Sequence, residues 1–249
     1  MALIFYTLAV FVAVSQLHCK TIPFCQSPQG FSASFDAKQK LSVKAKDLPV
    51  QIVVSAAPAE RARIALTKRP DSPVACYNPF LLEEDSNGVQ LKEKLNKTSS
   101  LLPCFFNVQL LFPASKLDKK KVLSLEAEKL SVQMLNLTRP FSHVLSLRSD
   151  TLEAELMNTH AVNIDAQEAT VNASTLKTLS LKGGYYKVQL QDIQQLDTDV
   201  DTIRGIVQIN SPNAKHHYDV EAAIAALEVM VPPHIALFMQ KKNKGFLTG

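Results

Sequence analysis

Residues 122–135 read VLSLEAEKLSVQML, and the same pattern returns four times: LSLRSDTLEAEL at 145–156, VNIDAQEATVNA at 162–173, LSLKGGYYKVQL at 179–190 and TDVDTIRGIVQI at 198–209. Apolar residues alternate with polar ones for five positions, a two-residue break follows, and the alternation resumes. Alternation at period two puts successive side chains on opposite faces, so each copy reads as two short strands around a turn. The copies begin at 123, 145, 162, 179 and 198, giving spacings of 22, 17, 17 and 19. Of the 30 inward positions, 25 are hydrophobic. The overall hydrophobic share of 46% would give about 14 in a random draw. One such unit cannot bury its apolar side alone, whereas stacked units share a core. The expectation is an all-β chain built as a single-stranded β-solenoid, with Leu125, Leu147, Ile164, Leu181 and Val200 as stacked neighbours.

The third inward position is small in every copy: Ala127, Ser149, Ala166, Gly183 and Thr202. Small residues suit a place where the chain turns tightly against the layer next to it. Outward, Glu126, Arg148, Asp165, Lys182 and Asp201 alternate in sign from copy to copy. Parallel layers about 4.8 Å apart would set them as a ladder of opposite charges; the plainer reading is that outward strand residues are simply polar. A second outward column reads Gln133, Glu155, Asn172, Gln189 and Gln208, where in-register amides can bond along the stack. Far upstream, Leu41, Val43, Ala45, Leu48, Val50 and Ile52 repeat the unit.

The expected organisation is a signal peptide over 1–15, an irregular leader over 16–30 and an N-terminal β region over 31–120 that holds the early unit at 41–52. The repeats span 121–211, and a C-terminal cap and tail fill 212–249. Residues 2–14 are apolar and uncharged. Thirteen residues fall short of the roughly 20 that span a bilayer, and suit a secretory signal cleaved after Ser15. No transmembrane span is read. An uncleaved segment would instead place the chain inside the cell or an organelle. Within the N-terminal region, Phe31 to Phe35, Arg63 to Lys68 and Cys104 to Phe112 read as strands, and Lys119-Lys120-Lys121 as a solvated turn. Val220 to Val231 fits a strand or a helix; the strand is preferred because Val229-Met230-Val231-Pro232 echoes Leu110-Leu111-Phe112-Pro113. Residues 240–249 read as a basic tail.

Four cysteines, Cys19, Cys25, Cys76 and Cys104, remain after such a cut. Proximity favours Cys19–Cys25 and Cys76–Cys104 bridges, with free thiols as the other reading. Asn96, Asn136 and Asn172 head glycosylation sequons, although a glycan on Asn172 would disturb the amide column. The net charge of +4 without basic clusters among aromatics gives no ground for nucleic-acid binding. His216-His217-Tyr218-Asp219 reads as a loop, and its histidines lack further ligands at a metal-binding spacing.

The arrangement resembles the adhesin-like β-solenoid family, adhesin-head proteins whose repeat is a strand, a Ser-Gly turn and a second strand. Val200 to Val207 is similar to that unit, with Gly205 in the turn, and Phe106 to Pro113 is similar to its strand-proline lead-in. The resemblance implies a solenoid over roughly residues 31–235 and no catalytic residue. No catalytic motif, cofactor or metal site is read. The expected role is a secreted or surface scaffold or binding surface, its partner a protein or glycan surface. The alternative is a carbohydrate-active solenoid enzyme or calcium module using Asp197, Asp199 and Asp201, which alternate outward on one strand.

Overall fold

The computed structural model describes residues 20–27, 30–36, 39–55, 61–94, 98–113, 121–135, 137, 140–211, 215–232 and 237–243. The expected signal peptide, Cys19, Asn96, Asn136, Lys119-Lys120 and the end of the tail lie outside them. Among the described residues every regular element is a strand. In chain order these are β1 (Lys20–Ile22), β2 (Cys25–Ser27), β3 (Gly30–Phe35), β4 (Leu41–Ser55), β5 (Ala62–Lys68), β6 (Cys76–Tyr77), β7 (Phe80–Asp85), β8 (Gly88–Glu93), β9 (Leu102–Pro103), β10 (Phe106–Pro113), β11 (Val122–Leu135), β12 (Phe141–Gln191), β13 (Gln195–Gln208), β14 (His216–Met230) and β15 (Leu237–Asn243). Thirteen share one mixed sheet, which does not close on itself; β6 and β9 form a separate parallel pair.

β12 holds 51 residues. Drawn straight it would run about 170 Å, so it has to fold back on itself. Its burial pattern shows where. Alternation is broken by pairs of consecutive exposed residues at Asp150-Thr151 and Gln167-Glu168, and β11 breaks in the same way at Glu128-Lys129. Such a phase change is a corner: inward residues on both sides of it stay inward only if the chain bends there. Asn158, Thr175 and Asp192, each 17 residues after the last, mark the other corner with left-handed backbone (φ 47°, 56° and 53°). A layer therefore has two long legs, and the left-handed corner is followed by a short third stretch with one buried residue, Thr159, Leu176 or Ile193, before the next layer begins. A Cβ on Gly183 would run into the Ala166 carbonyl, and one on Gly184 into that of Gln167, so β12 stacks on itself at an offset of 17.

The layers are parallel and in register. Leu123, Leu125, Ala127, Leu130 and Val132 lie beside Leu145, Leu147, Ser149, Leu152 and Ala154. On the other side, Leu123, Leu125, Ala127, Leu130, Val132 and Met134 lie beside Leu41, Val43, Ala45, Leu48, Val50 and Ile52. The early unit thus stacks directly on the downstream ones, and the chain between them lies on the far side of β4. There β8 pairs in parallel with the first leg of β4 and β10 with the second, and antiparallel partners continue outward as β7 and β1 and as β5, β3 and β2. One buried cluster runs from Ala33 to Ala222.

Several sequence expectations are corrected. Leu179, Leu181, Gly183 and Tyr186 sit beside Leu196, Thr198, Val200 and Ile203. The fifth unit therefore starts at 196 rather than 198, and Thr198, not Val200, is the neighbour of Leu181. Gly205 lies inside the second leg beside Val188, not in a turn. The leader is not irregular, since β1 and β2 fall within it. His216 to Asp219 open β14 rather than forming a loop, and residues 220–230 continue it as strand. Residues 240–243 belong to β15 rather than to a tail.

Candidate functional site

The parallel register rules the outer surface into columns. Lys44 and Arg148 lie on either side of Glu126, and Lys182 faces Asp199, which in turn faces Glu221. Lys44 Nζ is 2.7 Å from Glu126 Oε2, and Arg148 Nε is 3.6 Å from Asp165 Oδ2. The charges alternate along the column from Lys44 to Asp199. Its last alternating member is Asp199, because Asp201 falls at a corner between the paired segments. The amide column is corrected in the same way. Gln133 Nε2 donates to Glu155 Oε2 at 2.8 Å, but Ile206 takes the place beside Gln189, and Gln208 faces Gln191 instead. Asn172 is exposed on this face.

Asp197, Asp199 and Asp201 are not gathered into a cleft. Asp197 Oδ2 accepts from Gln195 Nε2 at 2.8 Å, Asp199 stands in the charge column and Asp201 projects from a corner. None of the three lines any of the concavities described below. Among the described residues no three His, Cys, Asp or Glu side chains converge as a metal would require, and no helix is long and apolar enough to cross a membrane.

Corners carry the unusual chemistry. At one of them, Tyr186 is buried; its hydroxyl accepts from the Ala166 N–H at 3.1 Å and donates to the Lys182 carbonyl at 2.6 Å. Burial pushes this phenol up to about 12. Gly183 (φ 116°) lets this corner pack tightly on the layer before it, since a Cβ there would strike the Ala166 carbonyl. At the opposite corner, Asp192 Oδ1 accepts the N–H groups of Asn210 (2.6 Å) and Ser211 (2.8 Å). Burial raises the Asp192 carboxyl, but these backbone bonds and side-chain bonds from the same two residues outweigh it and hold the carboxyl below its usual range. Behind that corner, Tyr218 Oη donates to the Ile193 carbonyl, and His216 Nδ1 lies 2.8 Å from the same oxygen. Burial holds the Tyr218 phenol well above its ordinary value.

Four concavities among the described residues lie outside the core. A trough of about 550 Å³ follows the corner beneath Ala45, Ala127, Ser149 and Ala166, lined by Lys44, Glu126, Glu128, Arg148, Asp150 and Asp165 among others. It follows the small third position read from the sequence. Next to it, a cleft of about 550 Å³ opens between the stack and the N-terminal strands on the far side of β4 (the N-terminal cap), walled by Phe80, Pro103, Cys104, Phe105 and Phe106. On the second leg, shallower hollows of about 320 and 250 Å³ present Gln51, Gln109, Gln133 and Asn172.

The cap cleft was missed in the sequence, although a signal for it was present. Adjacent Phe105 and Phe106 in an alternating strand cannot both face inward. Phe106 is buried and Phe105 is 44% exposed. The Cys76–Cys104 disulfide joins β6 to the residue that follows β9, beside this cleft, while Cys25 is exposed and has no disulfide partner among the described residues. Arg69 fixes the rim. Its guanidinium carbon lies 5.7 Å from the Phe105 ring centroid, and it is bonded to Asp47 (2.7 Å) and Asp71 (2.7 Å). The bond to Asp47 raises its already high pKa further, against a smaller opposing effect of burial.

No family model matches the chain, and no curated protein matches it either. One solved structure that it resembles is a putative adhesin from Parabacteroides distasonis ATCC 8503, at a TM-score of 0.42 and 11% identity, covering 86% of this chain and 94% of that one.

Proposed function

We propose that the stack is a β-solenoid that works outside the cell as a non-catalytic, adhesin-like scaffold, presenting its outward columns as a binding surface. The observation that carries this reading is the register itself. It keeps one apolar cluster continuous through the layers while setting side chains such as Lys44, Glu126 and Arg148 side by side on the outside. A surface ruled at about 4.8 Å suits an extended or repetitive partner better than a small molecule. The Cys76–Cys104 bridge fits an oxidising compartment.

Two experiments test the reading. Sequencing the mature N-terminus should return a chain beginning at Gln16; an intact Met1 would contradict secretion through a cleaved signal. Incubation with a panel of oligosaccharides should release no new reducing ends. Turnover that the Asp199→Asn and Asp201→Asn variants abolish would replace the scaffold reading with a carbohydrate-active enzyme.

A further inference from the structure

We propose that the cap cleft and the corner trough are one groove that binds an extended basic polypeptide segment, seating an apolar side chain against Phe105 and placing lysines or arginines against Glu128 and Asp150. This deepens the binding-surface reading by naming a partner class, and rests on it.

The two concavities adjoin, with Lys46, Glu93 and Glu128 lining both. The cap end is apolar and open. Phe105 is 44% exposed, and near it along the chain Leu101 and Leu102 are 45% and 64% exposed. Exposed apolar surface gathered beside a cleft marks a contact site more often than scattered exposure does. Arg69 covers Phe105 on one side and holds Asp47, which leaves that ring fixed rather than mobile.

Charge selects the occupant. With Arg69 on its rim, the groove carries five cations (Lys44, Lys46, Arg69, Lys129, Arg148) and six carboxylates (Asp47, Glu93, Glu126, Glu128, Asp150, Asp165), a balance of −1 on a chain whose net charge is +4. Most of these carboxylates are already engaged. Lys44 holds Glu126, Arg148 holds Asp165, Arg69 holds Asp47, and Glu93 accepts the Lys46 N–H at 2.9 Å. Glu128 and Asp150 make no ion pair among the described residues, and they project from the same corner of adjacent layers. The column beside them alternates in sign, whereas here two like charges stand about 4.8 Å apart in strand spacing. A cation supplied from outside relieves that repulsion. In the same column Lys46 stands on the other side of Glu128, so the uncompensated negative charge lies toward Asp150, at the stack end of the groove. From Lys46 to Gln167 the corner crosses three layer steps, roughly 14 Å, which about four to six extended residues would span. A neutral glycan matches the amide face around Gln51 and Gln133 better than this charged floor.

The test uses the full chain and a fluorescein-labelled hexapeptide with one leucine followed by lysines at alternate positions, read by anisotropy at about 50 mM salt. Saturable binding is expected. It should weaken at least tenfold in a Glu128→Gln/Asp150→Asn variant and, separately, in Phe105→Ser, with thermal unfolding of each variant close to that of the parent. Added salt should weaken binding further. The proposal is overturned if no saturable binding is seen up to millimolar peptide, if replacing the lysines by glutamates leaves affinity unchanged, or if neither variant alters it. A neutral oligosaccharide that displaces the peptide, and whose own binding Phe105→Ser removes, would reassign the groove to glycan. Failure of the peptide to bind leaves the N-terminal and turnover tests of the broader reading unaffected.

Discussion

Thr175 has left-handed backbone (φ 56°) at the position where the layers before and after carry Asn158 and Asp192. Asn and Asp tolerate that region because their short polar side chains bond locally, whereas a β-branched residue is strained there. Thr175→Asn should therefore stabilise the protein by about 1 kcal/mol, read as a higher urea midpoint; a lower midpoint would contradict the corner geometry. Asp192 does more than tolerate its backbone, since it anchors two amides from the next corner. Its folded pKa lies below its unfolded value. Its contribution is thus complete above an unfolded value of about 3.9 and disappears as pH falls through the folded value. Asp192→Ala should accordingly flatten the acid limb of the stability-against-pH curve, and an unchanged limb would show that another carboxylate dominates. Tyr186→Phe removes the hydroxyl bridging Ala166 and Lys182. Leaving those backbone groups unpaired should cost about 1–3 kcal/mol in equilibrium unfolding.

At the scale of the element, each strand is stabilised by what lies above and below it. Leu147 is buried at 1% exposure beside Leu125. Leu147→Ala should cost about 2–5 kcal/mol, while Ser146→Ala on the outward side of the same leg should fall within about 0.5 kcal/mol. Equal effects would mean that this leg does not face inward. The charge column contributes much less, because Arg148 and Asp165 are 71% and 56% exposed. Arg148→Glu should cost under about 1 kcal/mol, and the difference should vanish in molar salt. That column therefore contributes little to stability.

At the scale of the whole molecule, the cap and the stack are held by different means. The Cys76–Cys104 bridge spans 28 residues within the cap, a loop whose closure restricts the unfolded chain by about 3–4 kcal/mol in the entropic account. Reduction should increase amide exchange around β6 to β9 and leave β12 protected. Exchange rising first in β12 would place the weakest region in the stack. At the other end, β15 pairs with residues 216–222 of β14, and the second leg, with Ile224 and Met230 at 52% and 42% exposure, has no described strand on its outer edge.

Which side chains face inward was legible in the sequence, because alternation at period two is a local property of the chain. The early unit at 41–52 and the small third position of the first four units were legible for the same reason. The start of the fifth unit was not: residues 196, 198, 200 and 202 share one parity, so a slip of two leaves every inward residue inward. A unit that starts at 198 has Asp201 rather than Asp199 in the charge column, and the Ser-Gly turn of the family it resembles would fall on Gly205. Only the neighbouring layer fixes the corner, through backbone bonds that a strand cannot specify alone. The cap cleft is likewise tertiary. β8 and β10 lie far from β4 in sequence, and it was their pairing against its two legs that left Phe105 facing outward beside the corner. Parity is set between adjacent residues, whereas register and concavity are set between layers, so the sequence by itself determined the first and the packed structure alone decided the second.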